Sequence, residues 1–218
     1  MLNALIYEII TDNRNLSEAN MQLQQAFEIL TPMVGQTIEI NENVANKGKF
    51  GHALEKFLEL NLGSHHLDFE DGELKTCAVR NGNMKEDFKI CKVWDKDYIE
   101  SKLANMLLVL YDYDTGEIQS VQQMSILGHP VIRSQFDKEV DWLLEQPNIN
   151  LISQRDTEVF LAKTNDTGNK AINDRALYIA RAPWGYITGC GYSNRARKGK
   201  QFVKEMETYE QTKTGCAA

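Results

Sequence analysis

The stretch HHLDFEDGELKTCAVR, residues 65–80, decides which fold and which chemistry the sequence favours. Its second half, 73–80, contains β-branched residues and partly alternates polar with apolar side chains, which predicts a β-strand. In a strand, Glu73 and Lys75 are two positions apart and project from the same face, and Asp68 can approach that face from the preceding turn. Two converging carboxylates suit a hard divalent cation, and a lysine beside them can orient water against a phosphodiester.

The Glu-x-Lys spacing is by itself a weak signal. It occurs a second time at Glu100-Ser101-Lys102, and charged residues that alternate along a strand are usually solvated surface. The residues that surround the first copy therefore carry the functional argument.

Composition places the chain among globular proteins. It has 218 residues, of which 42% are hydrophobic and 25% are charged, as in folded domains rather than disordered chains. The formal net charge of −7 argues against a histone-like or ribosomal protein but leaves room for a local basic face. Four cysteines without zinc spacing, no long apolar run and no signal-peptide pattern predict a cytoplasmic chain with reduced thiols and no membrane association.

Hydrophobic spacing predicts several helices. A capped helix follows Ser17 and ends before Pro32, and a second helix begins near Gly48. Further helices are expected at 95–106, 134–146 and 200–209.

Strand-like segments lie between these helices. The turn-forming residues 81–83 predict a hairpin that joins strand 73–80 to strand 87–94. An apolar run predicts a buried strand at 107–114. Other strands are expected at 158–164, 176–182 and 185–192. This mixed order predicts one α/β domain with two lobes, in which helices surround a central sheet.

The residues around the motif form a longer pattern. Its helical part contains Lys47, Gly48, Gly51, Leu54 and Glu55, and its hairpin part contains Asp68, Phe69, Gly72, Glu73, Leu74, Lys75 and Thr76. This pattern resembles the MutH family of mismatch-repair nicking endonucleases and the GATC-cutting type II restriction enzymes related to it, in which K-G-x-x-G-x-x-L-E precedes D-F…G-x-E-L-K-T. SKLANMLLVLYDYD (101–114) continues the similarity, and 152–164 and 181–187 are more loosely similar.

The resemblance implies a catalytic site that uses Mg²⁺, with Mn²⁺ as a substitute. Lys75 would be the catalytic lysine, Glu55 an additional carboxylate near the metals, and Lys102 would lie beside the scissile phosphate. The implied catalytic residues are Glu55, Asp68, Glu73, Lys75 and Lys102, and the implied metal ligands are Asp68, Glu73, the Leu74 carbonyl and Glu55.

The chain departs from the family pattern in one place. The segment between Asp68 and Glu73 is two residues shorter than the family form, so Asp71 is an alternative metal ligand to Asp68. His65 and His66 precede the hairpin and are weaker candidates for a metal or proton-transfer role.

A basic stretch near the C-terminus is the candidate for DNA contact. Residues 170–204 hold eight Lys and Arg residues and one Asp, a local charge of +7, which suits contact with phosphates. The resemblance also places DNA-reading elements near 163–165 and 184–186. The residues expected to contact DNA are Lys47, Gly48, Lys163, Asn165, Trp184, Tyr186, Arg195, Arg197, Lys198 and Lys200.

The implied fold is an α/β fold of the restriction-endonuclease, PD-(D/E)xK type, a central mixed sheet flanked by helices. It would be a single nuclease domain of residues 1–218, with a catalytic lobe at about 1–130 and a DNA-gripping lobe at about 131–218. The implied function is cleavage of double-stranded DNA at a short site, plausibly GATC, by a monomer or homodimer. A type II restriction-like enzyme is favoured. A strand-nicking repair endonuclease with a repair-protein activator, and a non-catalytic DNA-binding protein on a nuclease scaffold, are the alternatives.

Overall fold

The structure is a computed structural model that describes most of the chain. The described residues are 21–38, 48–60, 67–92, 94–153, 156–164, 175–192, 196 and 198–215. The chain divides into two compact units, Met1–Cys77 with Asn105–Met124, and Ala78–Ala104 with Ser125–Ala218. No helix in these described ranges is both long enough and apolar enough to cross a membrane.

The described elements are a mixture of helices and strands. The α-helices are α1 (Leu23–Leu30), α2 (Lys49–Phe57), α3 (Lys96–Ala104), α4 (Pro130–Leu144), α5 (Arg181–Ile187) and α6 (Lys200–Gly215). The strands are β1 (Glu73–Arg80), β2 (Asn83–Met84), β3 (Phe88–Cys91), β4 (Met106–Asp112), β5 (Ile118–Met124), β6 (Phe160–Thr164), β7 (Arg175–Ile179) and β8 (Gly191–Tyr192). Five strands form a mixed sheet in the order β5-β4-β1-β2-β8, and three form an antiparallel sheet in the order β3-β7-β6. The mixed α/β class and a mixed sheet flanked by helices are therefore confirmed.

The core of the first unit is built by α1, α2 and three strands. Both helices place apolar residues on one face, as their helical spacing predicts. The buried cluster includes Leu23, Ala26, Leu30, Phe50, Leu54, Phe69, Leu74, Leu107, Val109 and Ile118. Leu74 is the member that belongs to β1, so one face of that strand packs into this core.

The turn after β1 is formed as the sequence predicts, but the hairpin is short. Asn81 and Gly82 both have positive φ, 52° and 71°, which is the backbone of a type I′ two-residue turn and explains the Asn-Gly pair. The antiparallel β1–β2 ladder contains only Val79↔Met84 and Arg80↔Asn83.

The expected pairing of strand 87–94 with strand 73–80 is wrong. The strand found there is β3, which pairs with β7 in the second sheet. Asp87 explains the change of sheet, because its carboxylate accepts a hydrogen bond from the backbone N–H of Arg181 at 2.9 Å and contacts the Nζ of Lys163 at 2.6 Å. These two contacts hold the start of β3 beside the β6–β7 hairpin.

The expected strand at 185–192 is also wrong over most of its length. Residues Arg181–Ile187 form α5, and only Gly191–Tyr192 is a strand. Pro183 lies in the first helical turn, where a missing N–H leaves no helical hydrogen bond unmade. The helix ends at its C-cap Thr188, because the next residue, Gly189, has a positive φ of 71° that helical backbone cannot adopt. The Thr188 hydroxyl donates to the carbonyl of Trp184 at 2.9 Å. The β-branched and aromatic residues of this segment predict a strand from their local preference. Packing against the core of the second unit favours the helix instead.

The other elements are close to expectation, with shifted ends. Strand 107–114 appears as β4, and its five residues Met106–Leu110 are all buried, as a continuous apolar run predicts. Helix α4 begins at Pro130 rather than at 134, because proline is well accommodated in the first helical turn. Helix α6 continues beyond the expected end at 209, to Gly215. The expected helix from Ser17 begins only at Leu23 in the described residues, and Ser17 lies outside them.

Candidate functional site

The start of β1 is held in place by a close approach of the backbone. The N–H of Glu73 donates to the carbonyl of Asn105 at 3.0 Å, immediately before β4 begins. A Cβ at position 72 would lie 2.8 Å from that carbonyl oxygen and 2.4 Å from Cδ1 of Leu23. Only glycine fits there, so Gly72 allows the motif strand to lie beside the residue that precedes β4.

Glu73 and Lys75 meet on one face of β1, as their spacing predicts. The ammonium of Lys75 contacts the Oε1 of Glu73. The Glu73 side chain is only 3% exposed, whereas that of Lys75 is 22% exposed. A buried carboxylate must be matched by positive charge or hydrogen-bond donors, and here the ammonium of Lys75 supplies part of that match.

Asp68 lies in the turn that precedes the same strand. Its Oδ2 accepts a hydrogen bond from the backbone N–H of Leu74 at 3.0 Å. This bond holds the carboxylate beside the residue that follows Glu73. The structure therefore places both expected carboxylates, Asp68 and Glu73, at one end of β1.

Asp71, the alternative ligand, is engaged elsewhere. Its Oδ1 accepts a hydrogen bond from the N–H of Leu23 at 2.8 Å, at the first residue of α1. A carboxylate at a helix N-terminus satisfies an otherwise unpaired donor and interacts favourably with the helix dipole. The side-chain amide of Asn105 donates to the Asp71 carbonyl at 2.7 Å and further fixes the turn. The geometry therefore gives Asp71 a structural role and leaves Asp68 as the carboxylate that lies beside Glu73.

Glu55 lies on α2, which packs on the other side of β1. A Cβ at Gly51 would lie 3.5 Å from the Oγ1 of Thr76, and Thr76 alternates with Lys75 along the strand. The Glu55 carboxylate lies 3.0 Å from the Nδ1 of His52 on its own helix. Among the residues that the structure describes, no three His, Cys, Asp or Glu side chains form a metal-binding group. The structure thus does not bring Glu55, Asp68 and Glu73 together as one set of ligands.

Lys102 is a buried lysine of the second unit. It lies on α3 and is 6% exposed. Its Nζ lies 5.4 Å from the centroid of the Tyr98 ring, one helical turn earlier. This is a cation–π distance, and it identifies Lys102 as more than an ordinary surface lysine.

Two of the expected DNA contacts have structural roles in the second unit. Trp184 is fully buried, and its ring stacks on Phe88 at a centroid distance of 3.9 Å. It is a core residue, which corrects its assignment to DNA contact, because an inaccessible indole cannot reach a base. Lys163 pairs with Asp87 and lies 4.8 Å from the centroid of the Tyr178 ring.

The C-terminal basic stretch is only partly available to DNA. Lys198 donates from Nζ to the Thr157 carbonyl, and Arg175 donates to the Ala162 carbonyl at 3.0 Å. The Tyr186 hydroxyl donates to the Glu210 carboxylate at 2.8 Å, and burial together with that bond raises the Tyr186 pKa to about 12. Lys200 is exposed at the first residue of α6.

Several expected site residues lie outside the described residues. Gly48 is described, and it precedes α2, where its carbonyl accepts from the N–H of His52 at 3.0 Å. Those outside are Lys47, His65, His66, Asn165, Arg195 and Arg197.

Glu139 is a buried carboxylate that sequence reasoning missed. It lies on α4 and is 6% exposed. Its two oxygens accept hydrogen bonds from the backbone N–H groups of Glu158, Val159 and Phe160, at 2.5 to 3.3 Å. Its spacing was a usable signal, because Glu139 follows the buried Phe136 by three positions and therefore lies on the apolar face of the helix.

No protein-family model matches the chain, and no curated protein matches it.

Proposed function

We propose that the chain is a Mg²⁺-dependent endonuclease of the PD-(D/E)xK type that hydrolyses phosphodiester bonds in double-stranded DNA. The observation that carries the proposal is the start of β1. There a buried carboxylate, Glu73, contacts the partly exposed ammonium of Lys75, and a second carboxylate, Asp68, is held by the next backbone N–H along the strand.

The donor chemistry at this end of β1 fits a hard divalent cation. Asp68 and Glu73 offer carboxylate oxygens, which such cations prefer. A bound cation would stabilise the negative charge that develops on the phosphate and the leaving oxygen. Among the residues that the structure describes, Leu74 engages the Oδ2 of Asp68, and no bond to its Oδ1 is seen. The Lys75 side chain that contacts Glu73 can rotate away.

Lys75 contributes a positively charged donor beside the two carboxylates. Its ammonium can orient an attacking water and interact with a phosphate oxygen, because its side chain is one-fifth exposed. Glu55 and Lys102 support the proposal less directly, since Glu55 pairs with His52 and Lys102 is buried in the second unit.

The test is cleavage of a supercoiled plasmid with Mg²⁺, using one plasmid that contains GATC and one that lacks it. Wild type should cut the first plasmid, and Lys75→Ala should reduce the rate by about 10²- to 10⁴-fold, as removal of a positioned proton-transfer or charge-stabilising group does. Lys96→Ala is the matched control, because Lys96 also pairs with a carboxylate, that of Asp141, at 2.6 Å. It should cut like wild type.

The form of the product separates the two enzymatic alternatives. Linear DNA indicates a restriction-like double-strand cut, whereas open-circular DNA that accumulates indicates a strand-nicking enzyme. An intact plasmid under all metal conditions, with Lys75→Ala indistinguishable from wild type, would refute the catalytic proposal.

A second candidate is a non-catalytic DNA-binding protein on this scaffold. The Glu73–Lys75 contact favours it, since an ion pair of this kind also serves as a purely structural neutralisation of a buried charge. Isothermal titration with Ca²⁺ separates the candidates. Ca²⁺ binding that Asp68→Ala abolishes supports the enzyme, and metal-independent DNA binding that Asp68→Ala and Glu73→Gln leave unchanged supports the binding protein.

A further inference from the structure

A pocket of about 570 Å³ opens in the second unit, in a part of the chain that the nuclease proposal does not use. Three segments form it: one face of α4, the turn at 156–158 that precedes β6, and the residues at the start of α6. The lining residues are Gln135, Lys138, Glu139, Trp142, Asp156, Thr157, Glu158, Lys198 and Gly199. The four α4 residues follow the helical spacing of one face, so they form a continuous wall.

The charged groups of the pocket mostly have partners already. The Glu139 carboxylate accepts from three backbone N–H groups, and Asp156 accepts from the N–H of Ser153 at 2.8 Å. Lys198 donates to the Thr157 carbonyl. The lining contains two lysines and three acidic residues, so it does not concentrate the positive charge that an anion needs. Two of its three carboxylates, those of Glu139 and Asp156, already accept backbone hydrogen bonds.

Two groups in the lining are suited to a ligand. The Trp142 indole is 38% exposed, one of few large hydrophobic side chains that the described surface leaves accessible. The Thr157 side chain is 5% exposed, and its hydroxyl has no hydrogen-bond partner among the described residues. A buried hydroxyl without a partner is unfavourable, and a ligand that bonds to it would remove that penalty.

We propose that this pocket binds a nucleobase, which stacks on Trp142 and exchanges a hydrogen bond with the Thr157 hydroxyl. A base is a neutral, planar ring with a polar edge, which matches an aromatic wall beside an unpaired hydroxyl and the Gln135 amide. The pocket volume is within the range of small-ligand sites and exceeds what an ion or a single water fills. Stacking on aromatic side chains is a general way in which proteins hold bases.

Two sources can supply such a base, a free nucleoside or nucleotide and an unpaired base of a nucleic acid. The inference goes beyond the proposed function, because neither source requires cleavage. Binding is therefore measured on the full chain without a divalent metal. The probes are adenosine, cytidine, AMP, a single-stranded hexanucleotide and the matching duplex, and the readouts are quenching of tryptophan fluorescence and titration calorimetry.

The expected pattern depends on Trp142 and Thr157. Trp142→Ala should weaken binding by about tenfold or more, the usual effect of losing one base–aromatic stack, and Trp142→Phe should retain most of the affinity. Thr157→Val keeps the shape but loses the hydroxyl, and it should weaken binding several-fold. Tyr113→Ala, which removes an exposed aromatic residue of the first unit, should change nothing.

The outcomes distinguish the sources and the proposals. Binding of adenosine or AMP identifies a small-molecule site, whereas binding of the single strand without the nucleosides identifies a site for an unpaired base. No binding of any probe, or binding that Trp142→Ala and Thr157→Val both leave unchanged, overturns the inference. Lys75→Ala, which tests cleavage, should bind adenosine and cytidine normally, so failure of one proposal is not failure of the other.

Discussion

Two buried carboxylates, one in each unit, are stabilised in different ways. Glu139 in the second unit is held by three backbone N–H groups at the entry to β6. Glu73 in the first unit contacts the side chain of Lys75, which reaches solvent. Backbone donors are fixed by the fold, whereas a lysine ammonium can rotate away and leave its position to another cation. The comparison indicates that Glu139 organises structure, whereas part of what neutralises Glu73 is a side chain that can move.

The largest effect is expected at Glu139. Glu139→Ala removes the acceptor of three buried N–H groups, and it should lower the free energy of unfolding by about 3–5 kcal/mol, as breaking a buried charged network does. Urea unfolding followed by circular dichroism measures this loss. Glu145→Ala, at an exposed position just after the same helix, is the control. If Glu139→Ala loses no more free energy of unfolding than an ordinary surface substitution, the contrast with Glu73 does not hold.

A smaller effect is expected at Lys75, and it should be reversible by metal. Without a divalent ion, Lys75→Met should cost about 1–3 kcal/mol, because the Glu73 carboxylate loses a charged donor. Ca²⁺ should then raise the melting temperature of Lys75→Met more than that of wild type, since the ammonium no longer competes for the carboxylate.

The matched variants show whether this recovery belongs to Glu73. Glu73→Gln should gain nothing from Ca²⁺, and Lys96→Met, which removes the partner of Asp141, should respond like wild type. Equal responses of Lys75→Met and Glu73→Gln to Ca²⁺ would show that Glu73 is as purely structural as Glu139.

A still smaller loss of stability is expected at Asp71. The same variant tests whether Asp68 or Asp71 is the metal ligand. Asp71→Ala removes the acceptor at the start of α1 and should cost about 1 kcal/mol, the usual cost of losing a helix cap. Its Ca²⁺ affinity, measured by calorimetry, should match that of wild type, whereas Asp68→Ala should lose it. The reverse result would make Asp71 the ligand and Asp68 the structural residue.

The smallest effect concerns pH and the second unit alone. Burial and the bond to Glu210 raise the Tyr186 pKa to about 12 from an unfolded value near 10. The folded protein therefore keeps this proton where the unfolded chain releases it, so the contribution is complete below pH 10 and is lost between pH 10 and 12. Tyr186→Phe should show a shallower fall in stability across this window. A fall of equal steepness in both proteins would contradict the assignment.

Local patterns predicted much of the first unit. The helical spacing of 50–58 produced α2, the apolar run produced β4, and Asn81-Gly82 produced the tight turn, because each depends on neighbours within a few residues. The Glu73–Lys75 contact also follows from the period of a strand. Strand β5 was missed, since IQSVQQM is mostly polar and pairs with β4 only after the turn at 112–117 brings it there.

The secondary structure and strand pairing of the second unit depend more on contacts between residues that are distant in the chain. RAPWGYI is β-rich in composition but helical in the fold, because burying Trp184 against Phe88 outweighs local preference. The sheet that β3 joins was decided by Asp87, which binds residues 76 and 94 positions away in the chain. The sequence also could not show that Lys163 and Lys198 are held by partners within the protein rather than presented to solvent.

The sequence by itself therefore determined the mixed α/β class, the order of most elements and the grouping of Asp68, Glu73 and Lys75 near the start of β1, because these follow from periodicity and short-range turns. Only the tertiary structure decided which sheet β3 enters and that Asp71 caps α1. It also decided that Trp184 is a core residue and that the Glu139 carboxylate accepts hydrogen bonds from three backbone N–H groups. The physical reason is the same in each case. A buried polar or aromatic group is stable only with partners that lie far away in the chain, and those partners are identified only once the chain has folded.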